Sequence, residues 1–221
     1  TQKRFLADAA HQLKTPLAGL RMQAELAQRE NSPEELQRSL EQIADSSTRA
    51  TRLVQQLLSL ARMENTNKLS EKILIDLSQS AADATKNWLS AAWEKNIDLG
   101  YQSNQQSYKM YGNPVMLKEL FNNLIDNAIK YTPANGTVTV DVRHANQPGL
   151  LIVEVKDTGP GIPPEERQRV LERFYRVLGS DIEGSGLGLA IVKEIATQHG
   201  GKLEILENQR RMLTDLHLLV L

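Results

Sequence analysis

A histidine in the first helix-like stretch stands close to a proline, at a spacing that could form a reactive site. His11 lies within Ala10–Leu17, five residues before Pro16. A proline inside a helix removes a backbone hydrogen bond and costs about 3 kcal/mol or more. That cost beside a titratable imidazole favours a shaped site, although a helical histidine near a kink is more often structural. Chemistry at His11 therefore depends on what the rest of the chain supplies.

Three polar side chains recur on one face of a later helix. Asn123, Asn127 and Lys130 are separated by four and three residues, which places them together on a helix surface. Glu119 lies one turn earlier on the same face. An amide oxygen is a hard, neutral ligand, and Mg²⁺ usually takes few protein ligands beside phosphates and water. This face suits a phosphate-bound divalent cation, and the alternative is a solvated helix surface.

Two glycine-rich segments could bring backbone amides to a phosphate. Asp157–Ile162 follows a predicted strand and contains Gly159 and Gly161. Gly184–Leu189 opens a helix, and the bare N–H groups of a helix N-terminus attract phosphate. The second segment lacks the Gly-Lys-Ser/Thr of the P-loop and does not follow a strand directly, as a dinucleotide fingerprint would. Either segment alone could be a plain turn.

Apolar residues at steps of three and four predict two long helices in the first third of the chain. The first runs from Phe5 to about Glu30, and the second follows Ser32-Pro33. Serine suits an N-cap and proline the first helical position. A short turn joins the helices as an antiparallel hairpin. Two helices cannot enclose a core, so we expect two copies to form a four-helix bundle, which makes the protein a homodimer.

After a polar linker the pattern becomes that of an α/β sandwich. Strands are predicted over 73–77, 97–101, 108–111, 137–143, 150–156, 202–207 and 214–221, and helices over 78–93, 113–131 and 187–199. This order predicts an α+β fold with a mixed sheet and helices on one face. The predicted domains are the hairpin at 1–65, the linker at 66–72 and the sandwich at 73–221.

Composition describes an ordinary soluble surface. The 221 residues carry a formal net charge of -1, which gives no support to nucleic-acid binding by bulk electrostatics. The absence of cysteine excludes disulfides, thiolate metal sites and cysteine nucleophiles. No apolar run approaches the roughly 18 residues of a membrane span. The first residues read as the middle of a helix, so we expect an excised fragment.

Five segments taken together resemble the sensor histidine kinases of bacterial two-component systems. The matching segments are His11–Leu17 (H box), Asn123–Tyr131 (N box), Asp157–Ile162 (G1 box), Arg173–Arg176 (F box) and Gly184–Leu189 (G2 box). Each is weak alone, but five in this order make a strong joint signal. The resemblance covers nearly the whole chain and implies a dimeric helical-hairpin domain followed by an ATP-binding sandwich.

The resemblance also implies roles for individual residues. His11 would be the phosphoacceptor, with Gln12 and Thr15 beside it in the catalytic stretch, and Asn127 would hold Mg²⁺ with Asn123 close by. The other implied nucleotide contacts are Lys130 (phosphate charge), Tyr131 (adenine packing), Asp157 (adenine amino group), Arg176 (γ-phosphate or partner domain) and the backbone of Gly159, Gly161, Gly184, Gly186, Leu187 and Gly188. Related hydrolysing ATPases carry a glutamate where this chain has Asn123, so water attack on ATP should be slow.

Three departures from the family pattern bear on mechanism. The family usually has Asp or Glu after the phosphoacceptor, and Gln12 can orient the ring but cannot act as a base. Either water or a weaker base suffices, or Asp8 serves from the same helix face; Asp8 could equally be a solvated residue. The lid is short, with only Val177–Glu183 between the F and G2 boxes. Near the end, 208–213 replaces the family's Gly-x-Gly-Thr.

The function implied is ATP-dependent autophosphorylation of His11, followed by transfer to a response-regulator aspartate. Two alternatives stay open: a regulator phosphatase acting through Thr15, and a nucleotide-responsive dimeric scaffold with weak kinase activity. The implied cofactors are ATP and Mg²⁺, and the partners a second copy and a receiver domain. No nucleic acid or membrane contact is expected for this stretch, a cytoplasmic fragment whose parent would lie in the bacterial inner membrane.

Overall fold

The computed structural model describes residues 2–30, 32–65, 72–102, 107–145, 149–177, 184–207 and 214–220. The predicted linker, apart from Lys72, lies outside the described residues, as do most of the lid and the segment at 208–213. The chain divides into two compact units, Thr1–Asn65 and Thr66–Leu221. The domain boundaries drawn from the sequence stay a prediction.

The first unit is a helical hairpin of α1 (Gln2–Ala27) and α2 (Pro33–Asn65), and both predicted helices are confirmed. Ser32 precedes α2 as predicted, and its hydroxyl accepts a hydrogen bond from the Glu35 N–H at 3.4 Å. Between the helices, the Ser46 hydroxyl donates to Gln23 Oε1 at 3.0 Å. Pro16 lies inside α1, so that helix carries one position without a backbone donor.

Large apolar side chains remain exposed along both helices of the hairpin. They are Leu17, Met22 and Leu26 on α1, and Leu36, Leu40, Val54 and Leu58 on α2. Leu53 and Leu57 of α2, by contrast, are buried. A single hairpin therefore leaves part of its apolar surface exposed, as expected of helices that pack against further helices as well as against each other.

The second unit contains a mixed five-stranded sheet and a separate two-stranded sheet. The strands are β1 (Ile73–Asp76), β2 (Asp98–Gln102), β3 (Lys109–Gly112), β4 (Thr137–His144), β5 (Leu151–Asp157), β6 (Lys202–Glu207) and β7 (Thr214–Val220). The large sheet has the order β2-β4-β5-β7-β6, in which β2 runs parallel to β4 and the other neighbours are antiparallel. β1 pairs with β3. The mixed-sheet prediction is confirmed.

Four helices accompany this sheet: α3 (Leu77–Asn87), α4 (Leu89–Glu94), α5 (Pro114–Tyr131) and α6 (Gly188–Gln198). α5 contacts both α3 and α6 as well as β4 and β5, so it forms the middle of the helical layer. Phe121 and Ile125 of α5 are fully buried, as are Val138, Val140 and Val153 of the sheet. These buried contacts fix the position of α5 against the sheet.

The single helix predicted over 78–93 is wrong, because the chain breaks it at Trp88. Trp88 has φ −101° and ψ 0°, and its N–H donates to Thr85 O and Lys86 O as the cap of α3. Its indole Nε1 donates to Asn122 Oδ1 of α5 at 3.1 Å. A residue 34 positions away therefore holds the indole, and helical periodicity cannot reveal such a long-range contact.

Candidate functional site

The start of α5 is fixed by an asparagine N-cap. Asn113 Oδ1 accepts hydrogen bonds from the N–H groups of Val115 and Met116, both at 3.0 Å, and Pro114 takes the first helical position. The Asn113 N–H donates to Nε2 of His199 at 3.1 Å, while Nδ1 of the same ring lies 2.8 Å from Ile195 O. A neutral imidazole with its proton on Nδ1 satisfies both bonds, and burial lowers the pKa of His199. This clasp joins the start of α5 to the end of α6.

The predicted polar face of α5 is present and largely enclosed. Asn123 is 7% exposed, and its Nδ2 donates to Glu119 O at 2.8 Å. Asn127, one turn later, is half-buried. The Lys130 ammonium lies 2.7 Å from Asp126 Oδ2, whose side chain is buried. The Asn123 amide group is therefore oriented with its nitrogen toward the helix backbone.

α6 begins directly against these two carboxamides. A methyl group built on Gly188 would lie 3.2 Å from Asn127 Nδ2 and 3.3 Å from Asn123 Oδ1. Such distances are tighter than ordinary van der Waals contact, so only glycine fits without displacing a neighbour. The sequence-predicted N box and G2 box are thus brought together, with the N-terminus of α6 beside the amide groups of α5.

The F box is hydrogen-bonded to the glycine-rich segment of the G2 box, which we call the glycine loop. The Phe174 N–H donates to Gly186 O at 2.8 Å, and both residues have positive φ, 64° for Phe174 and 68° for Gly186. A methyl group on Gly186 would lie 2.6 Å from the Phe174 carbonyl carbon. The left-handed conformation is costly for a bulky residue such as Phe174, so surrounding contacts must hold it there.

A side-chain cluster supplies such contacts. The Tyr175 hydroxyl donates to Glu166, and Arg169 lies over the Tyr175 ring with its guanidinium carbon 4.2 Å from the centroid. Arg169 also lies 3.5 Å from Glu166. The hydrogen bond to Glu166 raises the pKa of Tyr175. The two short 3₁₀ turns that carry Glu166 and Arg169, Pro164–Glu166 and Arg169–Leu171, therefore hold the F box in place.

The G1 segment forms a third wall of the site. β5 ends at Asp157, whose Oδ1 accepts a hydrogen bond from the Gly159 N–H at 2.8 Å. A methyl group on Gly159 would lie 2.7 Å from that oxygen and 2.9 Å from the carbonyl oxygen of Tyr131. Gly161 has φ 78°, a conformation that favours glycine. Asp157 and the end of α5 are therefore adjacent, with Gly159 between them.

The other residues that were predicted to contact the nucleotide differ in how far they are exposed to solvent. Tyr131 is 36% exposed at the end of α5, and Arg176 and Gly184 are exposed. A methyl group on Gly184 would meet nothing within 4 Å, so no close approach requires glycine there. Leu187 is fully buried, which places its side chain in the core and leaves only its main chain for a ligand.

The H-box residues lie on α1 in the other unit. His11 is within the helix, and its side chain lies outside the described residues, as does that of Asp8. Gln12 is half-buried and Thr15 is exposed. The roles in phosphoryl transfer that the sequence suggests for these side chains stay predictions.

A divalent cation here would depend on amide and phosphate oxygens. Within the described residues, no group of three His, Cys, Asp or Glu side chains is arranged to hold a metal ion. The carboxamide pair of α5 fits Mg²⁺, because that ion accepts a few neutral oxygen ligands and completes its shell with phosphates and water. No described helix is both long enough and apolar enough for a bilayer.

Sequence reasoning missed two features that support the site. The Asn113–His199 clasp joins residues 86 positions apart. Lys95, in the turn after α4, donates to two carbonyl oxygens at the end of α5. The only sequence signal for Lys95 was the Lys-Asn pair that ends a short helix, since asparagine favours the left-handed position after a helix.

Comparison with known proteins adds independent findings. The His Kinase A (phospho-acceptor) domain model matches residues 1–66, and the histidine kinase-, DNA gyrase B- and HSP90-like ATPase model matches residues 112–218. The chain is 41% identical over 200 residues to sensor protein QseC of Salmonella typhi, covering 90% of this chain and 43% of that protein. It is 38% identical over 203 residues to sensor protein kinase PmrB of Pseudomonas aeruginosa, covering 91% and 42%.

A solved structure agrees with these matches. The cytoplasmic segment of histidine kinase QseC superimposes with a TM-score of 0.55 at 28% identity, covering 79% of this chain and 93% of that segment. The present chain spans less than half the length of the curated relatives named above.

Proposed function

The chain belongs to the sensor histidine kinases of two-component systems, and we propose that it transfers the γ-phosphoryl group of ATP to His11 and then to a response-regulator aspartate. The observation that carries the proposal is the close approach of Gly188 to the carboxamides of Asn123 and Asn127, which leaves no room for a Cβ unless a neighbour shifts. It sets the N-terminus of α6 beside hard oxygen ligands, which suits a nucleotide triphosphate with its cation.

Residues from the G1 segment and from α5 would each contribute to nucleotide binding. The Asp157 carboxylate accepts a hydrogen bond from the Gly159 N–H, and it would also accept one from the adenine amino group. Asn127, with Asn123 close by, would hold Mg²⁺, which neutralises phosphate charge when bound. The Lys130 ammonium would share its charge between Asp126 and the phosphates. Phosphoryl transfer needs mainly positioning and charge neutralisation, so this inventory is chemically sufficient.

The acceptor step would occur on α1. A ring nitrogen of His11 would form the new N–P bond as the bond from phosphorus to the leaving ADP oxygen breaks. Gln12 would orient the ring by hydrogen bonding but could not take its proton, so the proton would pass to water or to Asp8. The exposed hydroxyl of Thr15 would position water when phosphate is removed from the regulator.

A second copy of the chain is the proposed partner of the hairpin. Leu17, Met22 and Leu26 of α1 are each more than half exposed, whereas the apolar face of an amphipathic helix normally packs against a core. A four-helix bundle from two hairpins would bury this surface. The other proposed partner is a receiver domain, which would approach His11. The whole protein would be a membrane-anchored sensor, with this stretch in the cytoplasm.

The test is transfer of label from γ-labelled ATP in the presence of Mg²⁺. We expect an acid-labile, alkali-stable label on the wild-type chain, none on His11→Ala, and full labelling of His144→Ala, which removes an exposed histidine of β4. Label that survives His11→Ala would reject the acceptor. ATP binding without any label would favour the scaffold, and dephosphorylation of a regulator without labelling would favour the phosphatase.

A further inference from the structure

The turn that ends α4 has a defined geometry. The Ile97 N–H donates to Ala92 O at 2.8 Å, and the Asn96 N–H donates to Trp93 O at 2.9 Å. Asn96 has φ 55°, the left-handed conformation. These features define a Schellman motif with asparagine in the position usually held by glycine. The motif fixes the direction in which Lys95, its capping residue, leaves the backbone.

The Lys95 ammonium caps another helix. It donates to Ile129 O at 2.8 Å and to Lys130 O at 2.7 Å, both in the last turn of α5. The last carbonyls of a helix lack partners within that helix, and a cation is favoured there. Burial lowers the pKa of Lys95. The side chain therefore gives up hydration for two carbonyl acceptors at the end of the N-box helix.

The same turn also holds the chain just beyond α5. The Asn135 N–H donates to Asn96 O at 2.8 Å, and the Asp98 N–H donates to Gly136 O at 2.9 Å. Residues 95–98 are therefore hydrogen-bonded both to the end of α5 and to the turn that follows it. Together these hydrogen bonds fix the path of the backbone as it leaves the helix.

The last turn of α5, to which Lys95 is hydrogen-bonded, carries residues that are predicted to contact the nucleotide. Lys130 and Tyr131 are the final two residues of α5. The Tyr131 carbonyl oxygen closes on Gly159, which in turn lies against Oδ1 of Asp157. We propose that Lys95 is a positioning residue for the nucleotide site: it holds the last turn of α5, and through Tyr131 and Gly159 it sets the place of Asp157. This inference rests on the proposed function.

The experiment uses the whole chain and ATP as the probe. Lys95→Met keeps the aliphatic stem and removes the donors, while Lys95→Gln keeps two donors on a shorter side chain. The matched control is Lys86→Met in the last turn of α3, where the lysine is 70% exposed and 3.7 Å from Asp83. Dissociation constants for ATP and ADP, labelling rates at saturating ATP and urea unfolding are measured for each.

We expect Lys95→Met to weaken ATP and ADP binding in parallel, by about fivefold or more, since two charge-assisted hydrogen bonds are lost. The labelling rate at saturating ATP should stay within about twofold, and Lys95→Gln should fall between Lys95→Met and wild type. Lys86→Met should bind as wild type does.

Three results would overturn the inference. Unchanged ATP affinity with reduced stability would show that Lys95 is structural only, and so would a variant that is unfolded before nucleotide is added. An equal loss of affinity in Lys86→Met would show a general charge effect. A wild-type chain that binds no ATP is a distinct result, which would reject the proposed function itself.

Discussion

Gly186 offers a sharp test of how the glycine loop and the F box depend on each other. Gly186→Ala places a methyl group 2.6 Å from the Phe174 carbonyl carbon and 2.8 Å from Tyr175 O, both backbone atoms that cannot rotate away. The left-handed conformation at φ 68° adds roughly 1–2 kcal/mol for a residue with a Cβ. Overpacking adds about 1–3 kcal/mol.

These two penalties act on the assembled loop rather than on the core. Their combined effect of about 2–5 kcal/mol corresponds to roughly a 30- to 4,000-fold loss in the population of the assembled form, at about 1.4 kcal/mol per factor of ten. We therefore expect Gly186→Ala to weaken ATP binding and slow labelling at least about tenfold, while urea unfolding of the sheet and α5 changes far less.

The matched control is Gly100→Ala in β2. A methyl group there meets nothing within 4 Å, and glycine within a strand is itself slightly destabilising. This variant should bind ATP and accept label as wild type does. If Gly186→Ala retained full ATP affinity and labelling rate, the reasoning that links the F box to the glycine loop would be refuted.

Two further predictions concern single polar groups. Asp157→Asn should weaken ATP binding by about 5- to 150-fold, because an amide nitrogen would face the adenine amino group, and should lower the preference for ATP over ITP, whose base has a carbonyl there; an unchanged preference in competition binding would contradict this. The pKa of His199 is lowered from 6.5 by burial, so its neutral form is favoured in the folded state and its contribution is complete above about pH 6.5 and declines as pH falls below it. The free energy of unfolding of wild type, measured by urea titration at pH 7.5 and 5.0, should therefore drop more than that of His199→Gln, and equal drops would count against the clasp with Asn113.

Local signals in the sequence sufficed for the elements that carry the site. Asn113-Pro114 marks the start of α5, where the structure has the cap and the first helical residue. The spacing of Asn123 and Asn127 placed them on one face, and both lie beside Gly188. These predictions succeeded because caps and helical periodicity act over a few residues.

Contacts between distant residues explain what the sequence could not show. The helix breaks at Trp88, whose indole donates to Asn122, and the Lys95 ammonium donates to the carbonyls of residues 129 and 130. Phe174 adopts a left-handed conformation that no local pattern would predict for phenylalanine. In each case tertiary contacts override local preference, as they do where a site must be held in a fixed shape.

The most direct test of the central claim is the effect of Mg²⁺ on ATP affinity in wild type and Asn127→Ala. If the carboxamides of α5 hold the cation between protein and phosphates, Mg²⁺ will strengthen ATP binding to wild type and will have little effect on Asn127→Ala, while the two bind ATP alike in EDTA. An equal strengthening by Mg²⁺ in both proteins would contradict the account, because the cation would then be held without Asn127.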